Sequence, residues 1–223
     1  LLTTDHRSEL VAAQSQISTP LLCTAVCVLG QWRSFDLVGA TIRAHVLEPI
    51  RADAFAIIDS NGSVDVSKQR CQSLLGPRTV SCHVGGESEI YNRSLLSQFK
   101  ADPNGNVAAC ASHTTFFNVA GYASRLAPWH AFLAHLQADR CFSLVMEHEE
   151  QRRGGQRYDL YMRLRTDMAL FEPLPLGFRG PFSATAAAVP AGDRWGASHT
   201  LGMTDNMLVA GRLAFAADAH SWQ

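Results

Sequence analysis

Apolar positions recur in two rhythms along this chain, and each rhythm predicts a different element. An apolar run from Leu21 to Leu29, closed by Gly30, predicts a short buried strand. Phe35, Val38, Ile42 and Val46 recur at spacings of three and four, a helical stripe that Ser34 would cap and Pro49 would stop near Glu48. Ala54–Asp59 predicts a second strand, 67–75 a short helix ended by Gly76-Pro77, and Thr79–Val84 a third strand broken by Gly85-Gly86. Glu89–Lys100 is a weaker helical pattern. The longest helix is expected from Pro128 to about Arg153, with Glu147, Glu149 and Glu150 on its solvated face and His130, His135 and His148 as surface histidines. Ala186–Val189 predicts a strand, and the apolar run Met207–Gly211 leads into an Ala-rich helix reaching His220.

Strands alternating with helices predict an α/β fold, a three-layer α/β/α arrangement with a mostly parallel central sheet. Residues 1–20 are polar and mixed and predict an N-terminal arm, leaving 21–223 as a single domain. The chain opens on Leu1 and stops at Gln223 within a helix or its exit, so a fragment or processed form, truncated at the C-terminus, is expected.

The stretch from Arg157 to Pro175 carries the most chemistry. With period two, Tyr158, Leu160, Met162 and Leu164 share one strand face, while Asp159, Tyr161, Arg163 and Arg165 share the other. Two arginines on an interior strand are costly unless an anion meets them. Asp167 follows just past the strand's carboxyl end, where open α/β sheets bind ligands. Arginines beside a carboxylate can hold a phosphate, directly and through a divalent cation. The alternative is an internal Arg–Asp ion pair at a strand end.

The strand–Gly30–helix unit adds backbone amides and the positive end of a helix dipole at the first strand's mouth, with Arg33 beside it. Arg33 is either an anion ligand there or a solvated surface residue. Asp59, at the end of the second strand, would either hydrogen-bond a ribose or base or, the favoured reading, begin the turn Asp59-Ser60-Asn61-Gly62.

Composition narrows the classes. The 223 residues are 47% hydrophobic and 17% charged, which fits a folded domain and excludes disorder. A net charge of −1 gives no basic field for nucleic acid, so phosphate binding has to be local. No stretch approaches the roughly 20 apolar residues of a membrane span. The six cysteines, 23, 27, 71, 82, 110 and 141, match no zinc spacing. They are expected as buried thiols, with Cys71 and Cys82 placed to pair across the Gly-Pro turn in an oxidising compartment. No Gly-x-Gly-x-x-Gly, Walker loop, Gly-x-Ser-x-Gly or His-Glu-x-x-His is present, which lowers dehydrogenase, phosphate-loop ATPase, serine hydrolase and zinc protease readings.

The run from Tyr158-Asp159 through Arg163-Leu164-Arg165-Thr166-Asp167, closed by Pro173 and Pro175, resembles the central strand and acidic motif of GT-A-type nucleotide-sugar glycosyltransferases. It is most similar to a group whose motif reads Tyr-Asp-x-x-x-Arg-x-Arg-x-Asp. The resemblance implies a Rossmann-related GT-A fold and transfer of a sugar from a nucleoside-diphosphate donor to a hydroxyl on a glycan, protein or lipid. It implies Mn²⁺ or Mg²⁺ at Asp167, with Gly30, Arg33, Arg163 and Arg165 around the diphosphate. In that family the motif is usually Asp-x-Asp, and Arg165 stands here where the first Asp would be. Asp193-Arg194-Trp195-Gly196 and Thr204-Asp205-Asn206 look like the family's acceptor-side segment. Asp205 is the candidate general base if the reaction inverts; its alternative role is to cap the following helix. Trp195 is either a stacking platform or a core residue.

The resemblance allows a Golgi-type lumen or the cytoplasm as location. A non-catalytic binding or structural protein on the same fold is the alternative, and a sulfo- or methyltransferase a more distant one.

Overall fold

Among the described residues, six strands hydrogen-bond into one mixed sheet in the order β3-β2-β1-β4-β6-β5. β1 (Thr24–Gln31), β2 (Asp53–Asp59), β3 (Thr79–Gly85) and β4 (Leu160–Arg165) run parallel. β6 (Met207–Ala210) lies antiparallel to β4, and β5 (Ala187–Ala188) pairs antiparallel with β6. The computed structural model describes residues 22–60, 67–86, 90, 127–174, 183–188 and 207–219. The expected helix at 89–100, the loop at 102–106 and the segments around Trp195 and Asp205 lie outside them, except Ile90.

β1 is buried along most of its length and sends alternate residues to two separate cores. Val26 and Val28 join Phe35, Ile42, Val46, Cys71 and Leu75 from helices α1 (Phe35–Ile42) and α2 (Lys68–Leu75) and the turns after α1. Ala25, Cys27 and Leu29 join Leu133, Leu136, Cys141 and Val145 of α3 (Ala127–Arg152) and Phe215 of α4 (Arg212–Ala219). Each buried side chain of this size contributes about 1.5–3 kcal/mol, so the central strands anchor both cores. The α/β class and the mostly parallel sheet expected from the sequence are present. Among the described residues, no helix is long and apolar enough to cross a membrane.

Four local expectations are corrected. Pro49 does not end its helix. The chain continues from α1 through a π-helical turn, Arg43–Leu47, into Glu48–Ile50, and leaves at Arg51 with φ 52°. Pro49 has no N–H to offer the carbonyl four residues back, and that carbonyl, on His45, accepts from the Leu174 N–H at 2.9 Å instead. Ser34 precedes α1, but its side chain makes no capping bond.

Tyr158 does not share the face of Leu160. Asp159 and Leu160 both donate to the Cys23 carbonyl, an irregularity that puts Tyr158 out of phase, and it packs with Tyr161 on the α3 side. Cys27 and Cys141 are not thiols: they form a disulfide from β1 to α3. Cys71 and Cys82 pair as their flanking of the turn suggested, and Cys23 is an exposed free thiol.

Candidate functional site

The strand order reverses between β1 and β4: the chain proceeds outward through β2 and β3 on one side, then returns to place β4 on the other. Ligands of open α/β sheets bind in the crevice outside the strand carboxyl ends at such a reversal. β1 brings Gly30 and Gln31 to this point and β4 brings Arg165, which is in register with Leu29. Thr166 and Asp167 follow immediately.

Gly30 has φ 140°, a conformation that side chains disfavour, and a Cβ there would collide with the Thr166 hydroxyl. Thr166 locks the junction twice, donating its N–H to the Leu29 carbonyl at 2.9 Å and its hydroxyl to the Gln31 carbonyl at 2.7 Å. From α3, the buried Gln137 amide donates to the Gly30 carbonyl at 3.2 Å. Neither Thr166 nor Gln137 stood out in the sequence. Thr166 lies inside the motif without a chemistry of its own, and Gln137 meets Gly30 only through the fold.

Arg165 forks onto Asp167, Nε to Oδ1 at 2.8 Å and Nη2 to Oδ2 at 2.7 Å. Both side chains are partly exposed, 36% and 41%. The Arg165 hydrogen bonds, with the Arg165 and Arg33 charges adding to them, hold the Asp167 carboxyl below the usual carboxylate range against the opposing effect of burial. The internal ion pair weighed for this stretch is thus the observed geometry, and it lies at the crevice. Arg33 is exposed on the turn between β1 and α1, near enough for its charge to act on Asp167.

Arg163 is elsewhere. It points to the α4 side, where its Nη1 meets Asp218 Oδ2 at 3.0 Å, and both residues are more than nine-tenths buried. The anion that offsets Arg163 on the interior strand therefore comes from the protein itself. Asp59 is largely buried at the end of β2, with its carbonyl accepting from the Trp32 N–H at 2.8 Å. Gly30, Arg33, Arg165 and Asp167 gather at the crevice, with Asp59 one strand over. Asp205 lies outside the described residues.

A second polar cluster sits at the opposite end of the sheet, and it overturns the expectation that Glu149 is solvated. Glu149 is buried, accepting from Tyr161 Oη at 2.5 Å, from the Tyr158 N–H at 3.0 Å and from Arg212 Nη1. Burial alone would raise its pKa, but these three donors together lower it. Tyr158 Oη donates to Asp53 Oδ2 at 2.8 Å and lies 3.0 Å from His148 Nδ1, so His148 is built into this cluster and is no isolated surface histidine. The cluster ties α3, α4, β2 and β4 together.

The donor set at the crevice fits a divalent cation poorly. At the junction itself stands one carboxylate, Asp167, with each oxygen accepting from Arg165 and the charge of Arg33 also acting there. Among the described residues no three His, Cys, Asp or Glu side chains gather as a metal site. Two guanidinium groups acting on the Asp167 carboxylate oppose a further cation there and favour an anion.

No family model, curated protein or solved structure matches this chain.

Proposed function

We propose that this protein is a glycosyltransferase with a three-layer GT-A-like fold that moves a sugar from a nucleoside-diphosphate donor to a hydroxyl acceptor. One observation carries the reading: Arg165, Asp167, Gly30 and Arg33 converge at the β1–β4 reversal, in the sheet position where this class of ligand binds. In the transfer, the bond from the sugar's anomeric carbon to the diphosphate oxygen breaks and the diphosphate leaves with the electron pair. The acceptor oxygen bonds to the same carbon, and its proton passes to a base, for which Asp205 is the candidate in an inverting reaction. The guanidinium groups of Arg165 and Arg33 would stabilise the charge that develops on the leaving diphosphate.

The fork of Arg165 onto the Asp167 carboxylate also favours a second reading, a binding protein on the same fold that transfers nothing. The two disulfides fit an oxidising compartment such as the secretory lumen.

The test is release of nucleoside diphosphate from a panel of nucleotide sugars, with and without hydroxyl acceptors. Turnover of one donor, lost in Arg165→Ala, is the expected result. Tight donor binding with no turnover would select the second reading.

A further inference from the structure

We infer that the crevice binds its diphosphate without a divalent cation, the Arg165 guanidinium holding the Asp167 carboxylate that a metal ion would need. This rests on the nucleotide-sugar reading and specifies how its site works. Both Asp167 oxygens accept from Arg165 in a two-point fork at 2.8 and 2.7 Å, so a divalent cation on this carboxylate would share it with a guanidinium and meet like charge at close range. Such a fork is the strongest common pairing of these groups.

Charge points the same way. Arg165 offsets the Asp167 charge, and the field of Arg33 reaches the same carboxylate, so two fixed cations already act where a metal ion's charge would. The fork also gives Asp167 a task. It holds a long side chain in one orientation at the mouth of the crevice, so less conformational entropy is lost when an anion binds. The rest of the mouth is preset by hydrogen bonds to backbone carbonyls: Thr166 to Leu29 and Gln31, and Gln137 to Gly30. A diphosphate suits this frame because it can meet two guanidinium groups with separate phosphoryl units.

The experiment is isothermal titration of the full chain with uridine, guanosine, cytidine and adenosine diphosphates and with inorganic pyrophosphate, each in excess EDTA and again in Mn²⁺. The expected result is that at least one probe binds in EDTA, with affinity within about twofold of that in Mn²⁺. Arg165→Gln should weaken it by about tenfold or more. Asp167→Asn removes the carboxylate a metal would require and loosens the Arg165 fork, so binding in EDTA should weaken but persist, and by the same factor in Mn²⁺.

Binding that appears only with Mn²⁺ and is lost in Asp167→Asn would overturn the inference and leave the nucleotide-sugar reading standing. No binding of any probe in either condition would overturn both. Circular dichroism of each variant separates loss of binding from loss of fold.

Discussion

Thr166 occupies the space that a side chain on Gly30 would need, and its hydroxyl spans the junction to the Gln31 carbonyl at 2.7 Å. The first strand's exit and the fourth strand's exit are therefore one packed unit. Arg165 and Asp167, on either side of Thr166, inherit their position from it.

Gly30→Ala is expected to cost about 2 kcal/mol or more, from the φ of 140° and the collision with Thr166 together. Urea unfolding measures it. Adding Thr166→Ala should recover part of the loss, because the collision goes while the backbone strain stays. Simple additivity of the two changes would mean that the contact is not close.

Breaking the Arg163–Asp218 pair should be among the most damaging single changes. Arg163→Ala leaves a buried carboxylate without its ion-pair partner and should cost about 3–5 kcal/mol. Replacing both, as Arg163→Met with Asp218→Leu, should restore most of that stability. Diphosphate binding by the double variant should match that of the unaltered protein, since the pair lies on the α4 side and away from the crevice.

How far these features were legible in the sequence depends on their range. β1 and β2 showed as apolar runs because buried parallel strands need nothing more, β4 showed through its period-two alternation, and α3 through its Pro128 start. Tyr158 was misplaced because period two assumes an unbroken strand, and the doubled acceptance at the Cys23 carbonyl shifts the phase by one residue. Glu149 looked solvated because its donors arrive from β4 and α4, which its own helix does not reveal. Arg165 and Asp167 were legible because they are two residues apart. Gln137 and Asp218 were not, because only tertiary packing brings them to Gly30 and Arg163.

The Cys27–Cys141 disulfide spans 114 residues and Cys71–Cys82 only 11. In the chain-entropy account the long bridge restrains the unfolded state more, about 4.7 against about 3 kcal/mol. Replacing Cys27 and Cys141 with alanine should therefore lower the urea midpoint more than the same change at Cys71 and Cys82. The reverse order would place the main effect in the folded state.

Stability should fall at both pH extremes through the Glu149 cluster. Glu149 has a depressed pKa, so its contribution is present above the ordinary carboxylate range and is lost as pH falls through the depressed value. Tyr161 is pushed up to about 12, first by burial and then by Glu149. Its contribution is complete below the unfolded value of about 10 and lost as pH rises through the folded one. Glu149→Gln should flatten the acid limb of a stability–pH profile, and Tyr161→Phe the alkaline limb.

The most direct test of the central claim is a thermal-shift panel of nucleoside diphosphates and nucleotide sugars on the unaltered chain and on Arg165→Ala. A ligand at about a hundred times its dissociation constant adds roughly 2.7 kcal/mol to stability. One nucleotide series is expected to raise the melting temperature of the unaltered protein and to leave Arg165→Ala where it was. Equal shifts in both proteins, or none from any nucleotide, would contradict a donor site at the β1–β4 reversal.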